Sequence, residues 1–360
     1  MQVVQEQQQD AYFNFVSSIN AEATKRNYEY CMKRFLKHCN MDLETLLKLP
    51  QLELSNLIIR YLYSQKISTQ YKTVIMATIK HACDMNDVIL NWKKIKKFIK
   101  NDKTGNEIAG KDRGYNHEEI QKILNFSDQR LKTAFLILAS TGIRIGALQS
   151  IKISDLERID NLYKVTVYAG DEDEQYITYC TPECAKEIDA YLEFRTRRGE
   201  KITLDSYLLV KKFGVSSKVK GKPFKGRALW AILEDCISNC GLREIDHINP
   251  FKRKQVPIFH GFRKFFCTQI ANTKPDIKPE RRWLLEGHDL KGNDKSYVKT
   301  TEKELLEEYL KAVDNLTIDP ANRLKKKVET LQIEKSQLGL LTKDVEFLKQ
   351  KYDGLIREKQ

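Results

Sequence analysis

A histidine and an arginine lie three residues apart in an apolar segment of the last third of the chain. The segment runs from Ile258 to Cys267 and contains His260 and Arg263. If it is a helix, the two side chains share one face. A second histidine, His288, comes later, and Tyr297 follows it by nine positions (297 − 288 = 9). One pocket would then hold a cation, two imidazoles and a phenol, a set that suits attack on a phosphodiester without a metal ion.

Arg144 is a lone arginine in the otherwise apolar segment that runs from Ile143 to Leu148. A buried arginine is costly unless it is paired. Two interpretations follow from the residues alone. Arg144 is either one partner of a structural ion pair or a clamp for a phosphate group.

The charge balance favours an anionic partner. The 360 residues include 62 Lys and Arg against 49 Asp and Glu, a formal net charge of +13. Such an excess is typical of nucleic-acid binding, although a basic soluble protein without that function also fits it. With 41% hydrophobic and 31% charged residues the chain is globular, and its length predicts about two to three domains.

Neither a membrane span nor a metal site is predicted. No apolar run approaches the ~18–20 residues of a spanning helix, and the polar N-terminus does not resemble a secretory signal. The eight cysteines are interpreted as buried, reduced thiols. A zinc site from Cys180, Cys184, Cys236 and Cys240 is the alternative, but its spacing is wider than usual. We expect a cytoplasmic, nucleoid-associated protein without cofactors.

The first hundred residues predict a helical domain with basic faces. Residues 1–10 form a polar, flexible tail, and apolar residues recur at three- and four-residue steps from Ala21, over Leu52–Tyr63 and over Thr69–Met85. Lys25 and Arg26 are predicted to contact the DNA backbone, with a solvated surface as the alternative. Residues 11–100 are therefore assigned to this domain, and the glycine-containing residues 101–114 to a linker.

Residues 115–315 predict a second domain. An apolar helix over Leu131–Ala139 ends near Gly142, a β-hairpin over 162–179 has an acidic turn, and Leu208–Lys212 is predicted to be a short strand. Two basic runs follow and are interpreted as phosphate-contact loops, although either alone also fits a solvated loop. Their members are Lys218, Lys220, Lys222, Lys225 and Arg227 in the first run and Lys252, Arg253 and Lys254 in the second.

Residues 321–360 predict a coiled coil. Leu324, Val328, Leu331 and Leu338 mark one heptad seam, which Lys335 interrupts, and Leu341, Val345, Leu348, Tyr352 and Leu355 continue it. The pattern fits self-association slightly better than a single amphipathic helix that packs on its own domain.

The ordered set of Thr141-Gly-Ile-Arg144-Ile, His260-Gly-Phe-Arg263, Leu284-Leu-Glu-Gly-His288 and Tyr297 resembles the tyrosine recombinase (phage-type integrase) family. With Arg144-Ile-Gly-Ala-Leu148 at the first arginine motif, the chain is similar to an archaeal-like variant. The resemblance covers roughly residues 15–315. It implies a mainly α fold with a small antiparallel β-sheet, in which a helical core-binding domain and a catalytic domain form a two-domain clamp on double-stranded DNA.

The resemblance also implies roles for the individual residues. Tyr297 would be the nucleophile that forms a 3′-phosphotyrosyl link, and Arg144 and Arg263 would hold the phosphate oxygens. His260 would accept the tyrosine proton or orient the phosphate, and His288 would donate a hydrogen bond to it. Family members commonly act as tetramers on DNA, which the coiled coil would help to assemble. Integration of a mobile element is the expected use, with resolution of chromosome dimers as the alternative.

The sequence departs from the family pattern at two positions. Ala147 stands where an acidic residue usually follows the first arginine, so an orienting contact is missing or comes from elsewhere. The acidic hairpin turn Asp171–Glu174 lacks the family's general-acid lysine, and Lys164 lies on the preceding strand. A non-catalytic DNA-binding protein of recombinase fold therefore stays an alternative, as does an enzyme similar to type IB topoisomerases.

Overall fold

The computed structural model describes residues 10–99, 112–211, 221–224, 227–242, 255–288, 290 and 300–357. The chain divides into two compact units, Met1–Lys111 and Asp112–Gln360. Their boundary falls within the segment interpreted as a linker, of which residues 112–114 are described. Of the predicted tail only Asp10 is described, and its carboxylate accepts a hydrogen bond from the backbone of Tyr12 at the start of the first helix.

The described part of the first unit is helical. Its helices are α1 (Ala11–Ser17), α2 (Glu22–Cys39), α3 (Leu43–Leu47), α4 (Gln51–Ser64), α5 (Thr69–Asp84) and α6 (Trp92–Lys97). Side chains that accept a backbone hydrogen bond cap several of them, among them Asp42 at α3 and Ser68 at α5. The core consists of apolar side chains at helical spacing, including Met32, Phe35, Ile58, Tyr61, Ile75 and Ile79.

The second unit combines helices with a small sheet. Its helices are α7 (His117–Asn125), α8 (Gln129–Thr141), α9 (Ile145–Ser150), α10 (Pro182–Arg197), α11 (Ala228–Asn239), α12 (His260–Ala271), α13 (Pro279–Leu285), α14 (Glu302–Leu316) and α15 (Pro320–Arg357). The strands are β1 (Leu156–Ile159), β2 (Leu162–Val167) and β3 (Tyr176–Tyr179). The prediction of a mainly α chain with a small antiparallel β-sheet is confirmed.

The three strands pair antiparallel in the order β1-β2-β3, with Val165 opposite Leu156 on one side and Thr178 on the other. Helix α10 packs on β2 and α8, and α14 packs on α12 and β3. Sequence periodicity predicted the β2–β3 hairpin but not β1. The strand predicted at Leu208–Lys212 is wrong in its described part, where Val210 makes an isolated bridge to Pro223.

The sequence predicted neither a membrane-spanning helix nor a metal site. No helix in the described part is long and apolar enough to span a bilayer. Over the same residues no cluster of three or more His, Cys, Asp or Glu side chains could hold a metal ion. The four cysteines considered for zinc are all buried.

A buried ion pair at the end of α10 holds the chain near the first basic run. The guanidinium of Arg195 donates to Glu200 through Nε (2.9 Å) and Nη2 (2.6 Å), and through Nη1 to the carbonyls of Tyr207 and Leu208. Glu200 also accepts from the backbone N–H of Gly221 at 2.9 Å. Because Gly221 stands next to Lys222 within the first basic run, this pair holds the described part of that run close to α10.

Glu200→Gln is expected to lower the free energy of unfolding by about 3–5 kcal/mol, because it leaves the buried Arg195 charge without its counter-charge. Glu193→Gln is the matched control. Glu193 pairs with Arg197 at 3.1 Å on the exposed face of the same helix, and its loss should change stability by about 0.5 kcal/mol or less. Urea denaturation measures both, and equal effects would contradict the proposed anchoring.

Candidate active site

Arg263 is buried in the first turn of α12, and main-chain carbonyls fix its guanidinium. Nη1 donates to the carbonyl of Gly142 at 2.8 Å, and Nη2 donates to the carbonyl of Glu286. Gly142 ends α8 with φ +62°, and a Cβ there would lie 2.2 Å from the Phe266 ring. Glycine is required at this position. Two segments distant in sequence thus orient one arginine.

His288 lies directly beside Arg263. Its Nε2 is 3.2 Å from Nη2 of Arg263, and 3.6 Å from a carboxylate oxygen of Glu286. Because a guanidinium can only donate, a hydrogen bond between the two would have Nε2 as its acceptor and the ring proton on Nδ1. The side chain of His288 is 48% exposed, so a ligand on the surface can reach the ring.

Arg144 is exposed at the N-terminus of α9 and makes no ion pair with any described residue. The interpretation of a buried structural ion pair is therefore wrong, because the chain leaves the apolar core at this residue. The charges of Arg144 and Arg263 both lower the pKa of the Tyr176 phenol, although burial raises that pKa by more. Both guanidinium groups therefore lie close to one phenol.

His260 is the first residue of α12 and is exposed. Partial burial lowers the pKa of its imidazole below 6.5, and the positive charges of Lys264, Arg263 and Arg144 lower it further, while Asp112 opposes them. The ring is therefore neutral at pH 7 and can accept a proton. The structure thus brings Arg144, His260, Arg263 and His288 together, and the roles that the motifs assign to them stay predictions.

The hairpin turn supplies no lysine to this site. Asp171 accepts hydrogen bonds from the backbone of Asp173 and Glu174, so that the acidic turn folds on itself. Lys164 on β2 is paired with Glu157 and, at 2.9 Å, with Glu302. Two carboxylates therefore hold this lysine, as expected for a side chain that points away.

The predicted DNA-contact residues are described in part. Lys25 and Arg26 lie on α2, with Arg26 exposed, and Lys222 is exposed. The guanidinium of Arg227 lies 4.5 Å from the centroid of the Trp230 ring, which packs in turn on Phe259. Outside the described residues are Tyr297, which the motifs predict to be the nucleophile, and the basic residues Lys218, Lys220, Lys225, Lys252, Arg253 and Lys254.

Tyr176 is the residue of this site that the sequence did not predict. Its ring lies against Gly287, where a Cβ would be 2.4 Å from Cζ. A tyrosine on a strand with alternating polarity fits an ordinary cross-strand pair, so no local signal identified it. Its closeness to the two arginines in the folded chain is what identifies Tyr176 as part of the candidate site.

We expect the pKa of His260 to be below its ordinary value of 6.5, and Lys264→Gln to raise it by removing a nearby positive charge. Since the folded state binds this proton less tightly than the unfolded state, the stability due to His260 is full at neutral pH. This contribution to stability declines as the pH falls below the pKa that His260 has in the unfolded state. NMR titration, with the resonance assigned through His260→Gln, measures the pKa. A value above 6.5, or no rise in the variant, would contradict this electrostatic account.

Comparison with known proteins places this geometry in a family. The sequence profile of the phage integrase family matches residues 115–304. No curated protein sequence matches the chain. Among solved structures, the Tn1549 transposon integrase with circular intermediate DNA is 16% identical at a TM-score of 0.50, over 82% of this chain and 96% of that one. Its complex with transposon right end DNA is likewise 16% identical at a TM-score of 0.50, over 83% of this chain and 98% of that one. The XerA recombinase is 18% identical at 0.39, over 84% and 98%.

The transposon integrase structures share the fold of this chain over most of its length. The family profile covers more than half of the chain and includes the segments of both arginines, both histidines and Tyr297. The archaeal-like variant stays a prediction. The chain belongs to the phage integrase family of tyrosine recombinases.

Proposed function

We propose that this chain is a site-specific DNA recombinase that cleaves and rejoins double-stranded DNA through a 3′-phosphotyrosyl intermediate at Tyr297. The observation that carries the proposal is the convergence of Arg144, His260, Arg263 and His288 on one site. The protein in the similar Tn1549 complexes is a transposon integrase with DNA. Integration of a mobile element is the use we propose.

The two arginines suit the charge that develops on a phosphate in the transition state. Arg263 is held by neutral carbonyls, so its positive charge is not cancelled by a carboxylate partner. Arg144 is exposed and can approach a phosphate from solvent. Fixed donors of this kind stabilise developing negative charge without reorganising at the moment of reaction.

Described residues that precede and follow Tyr297 in the sequence are held in the second unit. Before it lies His288, beside Arg263, and after it Thr301 caps α14, which packs on α12. Arg281 of α13 pairs with Glu304 (2.8 Å) and Glu308 (3.0 Å) of α14, which ties the flanking helices together.

Tyr309 is unsuitable as the nucleophile. Its ring is fully buried, and its hydroxyl donates to the carbonyl of Ser140 at 2.8 Å. Burial also raises the pKa of this phenol well above 10. A phosphodiester could not reach the oxygen without unfolding of the core, which supports the proposal of Tyr297 over Tyr309.

In the proposed reaction the oxygen of Tyr297 attacks the scissile phosphorus, the bond to the 5′ oxygen breaks, and this leaving oxygen takes up a proton from water. Neutral His260 takes the tyrosine proton, while His288 donates a hydrogen bond from Nδ1 to the phosphate. The new phosphotyrosyl bond retains the energy of the broken phosphodiester. Rejoining therefore requires neither ATP nor a metal ion.

DNA binding is proposed to involve both units. Arg26 and its neighbour Lys25 would contact the backbone from the helical unit, and exposed Lys222 and Arg227 from the catalytic unit. We also assign phosphate contacts to Lys218, Lys220 and Lys225 and to Lys252, Arg253 and Lys254. Such contacts bind without regard to sequence and weaken as salt rises.

One observation favours a non-catalytic alternative. Lys164 forms ion pairs with Glu157 and Glu302, and the acidic hairpin turn Asp171–Glu174 contains no lysine. A protein without a proton donor for the leaving oxygen would bind DNA but cleave it slowly. The two functions differ in whether a covalent adduct forms on DNA that is demonstrably bound.

We propose that α15 joins copies of the chain into the tetramer. This helix has 38 residues, about 57 Å of length. Its apolar seam is exposed, because Leu324, Val328, Leu331, Leu338, Leu341, Val345 and Leu348 are between 51% and 67% accessible. The side chains of Tyr352 and Leu355 lie outside the described residues. An uncovered seam of this length supports a partner helix rather than packing on the helix's own unit.

Tyr297→Phe is expected to abolish covalent protein–DNA adducts while DNA affinity changes by less than about twofold, since only a hydroxyl is removed. The assay uses nicked duplexes from a randomised pool in EDTA, with denaturing gels for adducts and gel shifts for binding. Tyr63→Phe, at an exposed tyrosine of the first unit, should behave as wild type. Adducts that persist in Tyr297→Phe would sink the assignment.

Leu331→Lys is expected to reduce the oligomer size measured by light scattering, because it places a charge in the seam of α15. Gln332→Lys adds the same charge at the next, exposed position and should leave the size unchanged. Lys335→Leu should strengthen association, because a lysine at a core position costs stability. Equal sizes for all variants would mean that α15 does not mediate assembly.

A further inference from the structure

Tyr176 has a buried hydroxyl that makes no hydrogen bond of normal geometry with any described residue. An unpaired buried hydroxyl lowers stability, and phenylalanine would fill the same space without this cost. The ring itself is well packed, since it occupies the position that a Cβ on Gly287 would take. Packing therefore explains why an aromatic ring stands at this position. It does not explain why the ring carries a hydroxyl group.

The surroundings of this oxygen are cationic. The charges of Arg263 and Arg144 lower the pKa of the phenol, and a weak polar contact with Arg263 adds a little to this effect. Burial raises the pKa by more, so that the net shift is upward from 10. The group is therefore a neutral phenol at pH 7. Its oxygen can accept a hydrogen bond from a guanidinium N–H.

Of the two arginines, Arg144 is the one whose guanidinium is not held by a described residue. Arg263 is fixed by the carbonyls of Gly142 and Glu286, whereas Arg144 pairs with no described residue and its side chain makes no capping bond. Ala147, one turn later, is fully buried and apolar. It cannot orient Arg144 as an acidic residue at that position would.

We propose that Tyr176 is a positioning residue for the phosphate-binding arginines of this site. Its ring supports the turn from Glu286 to His288, which holds Arg263, and its hydroxyl accepts a hydrogen bond from Arg144 when a phosphate draws that arginine inward. Tyr176 thereby takes over the orienting contact that Ala147 cannot make. The inference rests on the proposed function for its role in cleavage but not for its role in phosphate binding.

The first test compares Tyr176→Phe with Tyr163→Phe. Tyr163 lies in the same sheet, but its hydroxyl already donates to Asp189 at 2.6 Å. We expect Tyr176→Phe to melt at the wild-type temperature or above, since it removes an unpaired buried group. Its single-turnover rate of adduct formation should fall by roughly ten- to a hundredfold, because a misplaced catalytic group costs rate. Tyr163→Phe should cleave at the wild-type rate.

A double-mutant cycle with Arg144→Lys separates positioning from a merely structural role. If the hydroxyl acts through Arg144, the two substitutions together should reduce the rate little more than Arg144→Lys alone. Rate losses that multiply would show that Tyr176 acts independently of Arg144 and would overturn the proposal. Cleavage by Tyr176→Phe at the wild-type rate would overturn it as well.

Binding of inorganic phosphate, followed by calorimetry, gives a readout that needs neither cleavage nor a DNA site. Tyr176→Phe should weaken phosphate affinity severalfold, and Tyr163→Phe should not. If wild type forms no adduct but shows this difference, the proposed function fails while the positioning role stands. Equal phosphate affinity in wild type and Tyr176→Phe, or no binding in either, would overturn the positioning role.

Discussion

The buried guanidinium of Arg263 is the constraint on which the rest of the site depends. Burying this charge is costly unless its contacts are satisfied, and carbonyls from Gly142 and Glu286 satisfy it without neutralising it. That requirement explains the left-handed glycine at the end of α8. It also explains why the turn before His288 must lie against α12, where Tyr176 supports it.

The same principle operates at the edge of the catalytic unit. Arg195 and Glu200 form a fully buried pair that holds Leu208 and Gly221, the latter within the first basic run, close to α10. The buried charges of Arg263 and Arg195 thus hold distant segments together, while exposed charges remain accessible from solvent.

Sequence patterns predicted what is local. Helical spacing identified α2, α4 and α5, and strand alternation identified the β2–β3 hairpin. Contacts between distant segments leave no such pattern: Arg263 bonds to a carbonyl 121 positions away, and Tyr176 meets Gly287 only in the fold. Arg144 was expected within an apolar segment but is exposed, because a short helix begins immediately after it. The motif located the candidate residues, and tertiary contacts determine how they are held.

We propose that these side chains activate a phosphodiester toward attack by Tyr297. The most direct measurement is mass spectrometry of tryptic peptides after reaction of the full chain with nicked duplex in EDTA. We expect a nucleotide linked through its 3′ phosphate to the peptide that contains Tyr297. Bound DNA without any linked peptide, or a link at another residue such as Tyr309, would contradict it.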